Sequence, residues 1–391
     1  MNEMVAPRAA TVDGPDATVG IGLIGSGFMG RAHALAFRAA GGVFPLAARP
    51  VLEVLADATI EQARTAAASL GFHRATADWR ALAADPAVDI VAIATPNRFH
   101  APMALAAIEA GKHVYCEKPL ATTLADAIAM TRAAEAAGVT TMVGFNYLKN
   151  PMLETAREIV RSGEIGEITG YRGIHAEDFM ADPDAPFSWR CLPEEAGGAL
   201  ADIGSHAIAV ARFLLGEVDA VCGRLDTIHS TRPAPDGGRR EVRVDDQANL
   251  LLRFRDRPFT ATVSASWLAS GRDMQLAFEL SGTKGALSFT QERFNELKLF
   301  RGGPAGRRGF TTLNAGPAHG DYAAFCPAPG HQIGFNDLKT VEVRRLLDAV
   351  AAGRDADAGF RDALAVTRVM EAARRSSDDG RWVALAEIAD A

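Results

Sequence analysis

The chain has 391 residues, enough for two domains with sizeable cores. Hydrophobic residues make up 48% and charged residues 23%, an ordinary globular balance. The net charge is −7 with no Lys/Arg block, which argues against nucleic-acid or anionic-membrane partners.

The four cysteines, Cys116, Cys191, Cys222 and Cys326, form no CxxC and have no histidine at ligand spacing. No disulfide framework or metal site is expected, and a reducing cytoplasm fits. Residues 1–18 lack the apolar core and twin arginine of an export signal and read as a loose tail. No apolar run approaches a membrane span.

"ATVGIGLIGSGFMGRAHALAFRAA" (17–40) reads as a short apolar strand, a glycine turn and an Ala-rich helix. The turn, Gly25-Ser26-Gly27-Phe28-Met29-Gly30, is a full G-x-G-x-x-G in the strand–turn–helix setting that dinucleotide binding requires. Gly25 permits the tight turn, Gly27 lets the backbone approach a pyrophosphate, and Gly30 lets helix and strand pack closely. The helix N-terminus supplies the anion site. A second strand, "PVLEVLADA" (50–58), ends in Asp57, which can accept hydrogen bonds from both ribose hydroxyls and so favours NAD over NADP. Asp57 lies 32 residues after Gly25, against a usual interval of about 20. The Gly/Pro-bearing "GGVFPLAARP" (41–50) takes up the surplus.

Strand–helix alternation continues through "VDIVAIATPNRFH" (88–100), "APMALAAIEAG" (101–111), "KHVYCEKPL" (112–120), "TLADAIAMTRAAEAAG" (123–138) and a strand "VTTMVGFNYLKNP" (139–151). Such units imply a parallel sheet with ligands at the strand C-terminal ends. Thr95-Pro96-Asn97, Glu117-Lys118-Pro119 and Asn146-Tyr147 sit at those ends. From about residue 165, strand-like segments follow one another at 167–178, 247–254, 259–267, 274–282, 285–291 and 296–302, the pattern of a mainly antiparallel sheet. One helix interrupts them. From Leu200 it is apolar nearly all round, yet it carries Asp202 and His206, four apart and on one face, a polar pair that burial makes costly unless it pairs or binds. The Gly/Pro-rich 301–337 is too long for an idle connector, and helices at about 336–352 and 360–376 close the chain.

"GLIGSGFMG", "ATPNRFH", "CEKPL", "GFNYLKNP" and "GGALADIGSHAI" come in the order and spacing of the Gfo/Idh/MocA oxidoreductases, which the chain resembles from residue 19 onward, with most likeness to the sugar dehydrogenase branch. The resemblance implies an α/β chain with a Rossmann dinucleotide-binding domain over 19–145. A substrate-binding and oligomerisation domain over 146–391 would follow, carrying a large open, mainly antiparallel sheet and forming a homodimer or homotetramer through it. It implies an NAD-dependent dehydrogenase of a ring hydroxyl on a sugar, anhydrosugar or inositol, with Lys118, Asp202 and His206 as the catalytic set. His206 would serve as base and acid, Lys118 would hold the hydroxyl oxygen, and Asp202 would grip a neighbouring hydroxyl and tune the histidine. The family commonly has a cis bond before the proline that is here Pro119.

Cofactor contacts are expected from Gly25, Gly27, Phe28, Met29, Gly30, Asp57, Thr95, Pro96, Asn97, His100, Glu117, Lys118, Asn146 and Arg190. His100 reads equally as a plain helix-start residue. Substrate contacts are expected from Lys118, Tyr147, His175, Asp178, Trp189, Arg190, Asp202, His206 and His331, with a surface Arg190 and an ordinary loop His331 as the competing readings. Three alternatives stay open: an NADP(H)-dependent keto- or anhydro-sugar reductase, a redox-neutral glycosidase holding NAD, and a non-catalytic NAD-binding regulator.

Overall fold

The structure, a computed structural model, describes residues 17–388. Most of the tail expected over 1–18 lies outside the described residues, and Thr18 already opens the first strand. The chain forms two compact units that exchange segments. The first holds the residues up to Leu120, Asp126–Gly144 and Phe335–Asp362; the second holds Ala121–Ala125, Phe145–Gly334 and Ala363 onward. The late helix Phe335–Ala351 belongs to the first unit.

The first unit is built on six strands: β1 (Thr18–Ile24), β2 (Arg49–Ala56), β3 (Arg74–Thr76), β4 (Ile90–Ile93), β5 (His113–Cys116) and β6 (Thr141–Val143). They pair in parallel in the order β3-β2-β1-β4-β5-β6. Helices cover both faces, so the central strands are continuous apolar runs: all of Ile90–Ile93 is fully buried. Sequence order reverses between β1 and β4, the switch point where open parallel sheets bind ligands. The helix Phe28–Val43 packs against Phe335–Ala351, and Ala34, Phe37 and Ala40 share a core with Val343, Leu346 and Leu347. The sequence predicts one strand over 139–151. The strand instead ends at Val143, and Asn146–Lys149 turns into a 3₁₀ helix; at Gly144 between them a Cβ would stand 2.7 Å from the Glu117 carboxylate.

The second unit contains a nine-stranded sheet made of β7 (Ile168–Ala176), β8 (Val218–Asp226), β11 (Gln247–Phe254), β12 (Thr260–Ser266), β13 (Gln275–Gly282), β14 (Ala286–Thr290), β15 (Glu296–Phe300), β16 (Thr311–Asn314) and β17 (Val383–Ala384). A separate hairpin pairs β9 (Thr231–Pro233) with β10 (Arg239–Glu241). Within the sheet β7 and β12 run parallel and the other neighbours antiparallel. Alternation along β11 buries Leu250, Leu252 and Phe254 and leaves Asn249, Leu251 and Arg253 facing outward.

The helix Ser205–Leu215 covers the inner face against β7 and β12. Pro193–Leu215 is long and apolar enough to cross a membrane, but 89% of its apolar window is buried inside the fold, which makes it a core segment. β8, the hairpin, β16 and the helix Pro151–Ser162 are not among the elements expected from sequence. That helix is started by Asn150, whose side chain accepts from the Met152 amide, and ended by Gly163 at φ 72°.

Candidate active site

In the first unit, the glycine turn behaves as its residue types require. Gly25 has φ 93°, and a Cβ there would lie 2.5 Å from the Ala94 carbonyl oxygen. A Cβ on Gly30 would lie 2.0 Å from the Gly25 carbonyl oxygen, so helix and turn close up only on glycine. A Cβ on Gly27 would meet nothing within 4 Å: the space above this residue is open. Gly27 also caps the helix Phe28–Val43, whose first turn has no acidic residue and whose N-terminal amides have no side-chain cap.

Asp57 follows β2 directly. Its Oδ2 accepts from the Ser26 amide at 3.0 Å and from the Ser26 hydroxyl, while Oδ1 accepts from the Ala58 amide at 2.7 Å. With two donors on Oδ2 and one on Oδ1, the lone-pair capacity left for a further donor is on Oδ1. Phe28 is exposed and stacks on Phe335 at 5.6 Å between ring centroids, with Met29 half-buried beside it. Open backbone over Gly27, an uncapped helix terminus and a carboxylate at the end of the second strand fit a dinucleotide.

Lys118 follows β5, and the Lys118–Pro119 peptide is cis. Its neighbour Glu117 was expected to touch cofactor, but the structure turns it inward. Oε1 accepts from His33 Nε2 and from Lys339 Nζ, each at 2.8 Å. Lys339 also donates to Glu342 Oε2 at 2.9 Å and to the Tyr115 hydroxyl at 3.0 Å, so its three N–H groups have three partners. Burial alone would push the Glu117 carboxyl up; Lys339 and His33 beside it hold it far below the usual carboxylate range. His33 is shifted down, chiefly by burial and then by Lys339.

His100 is likewise fully buried rather than open to a ribose. Nδ1 lies 2.8 Å from the Pro119 carbonyl oxygen and Nε2 lies 3.1 Å from that of Thr95. Thr95 Oγ1 lies 3.7 Å from Met103 Sδ, Pro96 is exposed and Asn97 is buried.

In the second unit, residues Leu200–Gly204 form a π-turn, not the α-turn the sequence suggests, before α-helical bonding resumes at Ser205. Such widened turns shift side chains off the regular helical face and concentrate at functional sites. Asp202 lies in this turn and His206 just beyond it. The Asp202 Oδ2 accepts from Arg190 Nε at 3.0 Å, and the Arg190 guanidinium lies 4.5 Å over the Trp189 ring and 5.7 Å over the Phe179 ring. His206 is 5% exposed. Its ring centroid lies 4.7 Å from Tyr147, and 5.7 Å from both Phe145 and His175.

His175, expected as a substrate contact, already has both nitrogens engaged: Nδ1 is 2.8 Å from the Ile203 carbonyl oxygen and Nε2 is 3.0 Å from Glu177 Oε1. It therefore ties β7 to the π-turn. Asp178 accepts from the Gly271 amide at 2.9 Å, and His331 is exposed, with its carbonyl held by the Tyr322 hydroxyl. Asn146 is buried, and its amide nitrogen has no partner among the described residues, a donor left for a bound molecule or water.

Lys339, Glu342, Phe179 and Asp245 are not among the residues expected from sequence. Asp245 Oδ2 accepts from the Leu200 amide at 2.7 Å and anchors the start of the π-turn; burial raises its carboxyl to about 6. Only the run of two aspartates before β11 hinted at it.

The cradle and the Asp–His turn define the chain as a nicotinamide-dinucleotide oxidoreductase. A profile of the oxidoreductase family with an NAD-binding Rossmann fold matches residues 19–145, and that of the GFO/IDH/MocA C-terminal domain matches 153–288. The chain is 39% identical over 384 residues to levoglucosan dehydrogenase of Pseudarthrobacter phenanthrenivorans, covering 94% of this chain and 98% of that one. A solved levoglucosan dehydrogenase in complex with NADH and levoglucosan superposes with a TM-score of 0.91 at 40% identity, covering 94% and 99% of the two chains. An NAD-binding oxidoreductase from Klebsiella pneumoniae does so at 0.91 and 43%, with the same coverage. The chain belongs to the Gfo/Idh/MocA family of oxidoreductases.

Proposed function

We propose that this chain is an NAD-dependent dehydrogenase that oxidises a ring hydroxyl of a sugar or anhydrosugar. The observation that carries the reading is the nearly buried His206 beside Tyr147, one turn from an Arg190-paired Asp202, in a chain that also holds an open dinucleotide cradle. The Gly27 turn and the helix behind it would hold the pyrophosphate, and Asp57 the adenosine ribose; its negative charge disfavours a 2′-phosphate and hence NADP. When bound, NAD supplies the hydride acceptor.

The chain's own groups do the rest. An imidazole nitrogen of His206 takes the hydroxyl proton. The Lys118 ammonium donates to the hydroxyl oxygen and stabilises the negative charge that develops there. Asp202, oriented by Arg190, accepts from a neighbouring hydroxyl, and the Trp189 and Phe179 rings offer apolar faces to a carbohydrate. The inward-turned Glu117 and His100 take no part at the reacting atoms. We further place the chain in the cytoplasm, in keeping with its unpaired cysteines, and as a homodimer or homotetramer through the outer face of the nine-stranded sheet.

The test is NADH formation with NAD or NADP against levoglucosan, aldoses, inositols and glycosides, run beside Lys118→Ala and Asp57→Ala. Expected are NAD-dependent turnover of a polyol, a kcat lowered roughly 100- to 1000-fold but still measurable in Lys118→Ala, and a weaker preference for NAD over NADP in Asp57→Ala. NADH binding without turnover of any polyol would overturn the dehydrogenase reading.

A further inference from the structure

Glu117 and Pro119, on either side of Lys118, are held by buried side chains from three other elements of the first unit. Before it, Glu117 Oε1 is held by His33 Nε2 and Lys339 Nζ, each at 2.8 Å, and the Lys118 amide lies 3.4 Å from Glu117 Oε2. After it, the Pro119 carbonyl oxygen lies 2.8 Å from His100 Nδ1. His33 comes from the helix Phe28–Val43, His100 from the start of the helix His100–Glu109, and Lys339 from the helix Phe335–Ala351, more than 200 residues downstream. His33, His100 and Lys339 are each 0% exposed, so none of them reaches a ligand.

Packing does not require these groups. A buried ammonium between two carboxylates holds helices together no better than well-packed apolar side chains of similar volume, because the cost of desolvation offsets the attraction. What the charged set adds is direction. Lys339 spends one N–H each on Glu117, Glu342 and Tyr115, and His33 Nε2 reaches the same Glu117 oxygen, so that carboxylate is held from two helices at once. We propose that Lys339, His33 and His100 are positioning residues that clamp the Glu117–Pro119 backbone and so aim the Lys118 ammonium at the reacting oxygen.

The proposal rests on the reading of Lys118 given above. Its test is a double-mutant cycle on kcat with Lys339→Met, Lys118→Ala and the pair, together with NADH binding followed by fluorescence. Lys339→Met is expected to lower kcat roughly 10- to 100-fold, as a misaimed group does, while the NADH dissociation constant stays within about two-fold. The double variant is expected to match Lys118→Ala, since a residue that acts only through Lys118 has nothing to remove once it is gone. Losses that multiply in the double variant, or a wild-type kcat in Lys339→Met, would overturn the clamp. A wild-type kcat in Lys118→Ala would overturn the reading of Lys118 itself, and the clamp with it. Should Lys339→Met fail to fold, His33→Phe and His100→Phe, which keep an aromatic ring and remove the contacts to Glu117 and Pro119, go through the same cycle with the same deciding outcomes.

Discussion

Gly27 and Gly30 stand three residues apart in one turn, yet a methyl group has opposite consequences at the two positions. Gly27 has φ −64° and ψ −166°, which alanine adopts freely, and its Cβ would touch nothing within 4 Å. Gly27→Ala is therefore expected to change stability by no more than about 1 kcal/mol, the range of N-cap replacements. The methyl instead fills the space a pyrophosphate needs to reach the helix amides. Each charge-assisted hydrogen bond lost there is worth roughly 1.5–3 kcal/mol, so the NADH dissociation constant should rise at least about 10-fold.

At Gly30 the Cβ would sit 2.0 Å from the Gly25 carbonyl oxygen. That gap has to open by about 1 Å against backbone, an overpacking cost of about 1–3 kcal/mol. At roughly 2–4 °C per kcal/mol for units of this size, Gly30→Ala is expected to melt several degrees lower and also to bind NADH more weakly, because the turn itself has moved. Thermal melts without cofactor and fluorescence titration with NADH separate the two effects. Gly27→Ala with unaltered NADH affinity would refute the placement of the pyrophosphate over this residue. Gly30→Ala with an unaltered melting temperature would refute the close packing.

Two further outcomes follow from the second unit. Asp245 is buried, with its carboxyl raised from 3.8 to about 6. The unfolded chain therefore gives up this proton first, and the contribution to stability is complete below about pH 4 and lost as pH rises through about 6, worth at most roughly 3 kcal/mol at about 1.4 kcal/mol per pH unit. Asp245→Asn keeps an oxygen for the Leu200 amide and should melt above the parent at pH 8 but not at pH 4; an increment independent of pH refutes the assignment. Leu251 is 40% exposed on the outer face of β11. Leu251→Lys should lower the assembly mass measured by light scattering, and a monomeric parent protein would refute the sheet-mediated oligomer.

Local pattern made much of the fold legible. The strands around β1, β7 and β11 to β15 follow from apolar runs and from alternation at period two, and the glycine turn from its spacing between a strand and a helix. Part of what the pattern missed was short or context-dependent, whereas the helix Pro151–Ser162 carried local start and stop residues in Asn150 and Gly163. β8 and the hairpin lack clean alternation, and only the fold shows that the Glu117 carboxylate lies where a Cβ on Gly144 would be. The site divides in the same way. Gly25, Gly27, Gly30, Asp57, Lys118, Asp202 and His206 are recognisable because their chemistry is tied to short spacings. Lys339 and Glu342 are one turn apart on an otherwise unremarked helix, and nothing near them in sequence tells of Glu117 more than 200 residues earlier.

The sequence by itself determined the class of the first unit, its cofactor cradle and the residue types available for proton and oxygen chemistry, because those properties reside in contiguous backbone and in side-chain identity. Only the tertiary structure decided which polar residues face outward and which are spent inside. Glu117 and His100, which sequence position assigns to the cofactor, are buried against Lys339, His33 and backbone carbonyls, and His175 is committed to Ile203 and Glu177. A buried polar group must find its partner wherever the fold brings one, and that partner is set by packing across the chain, not by neighbours along it.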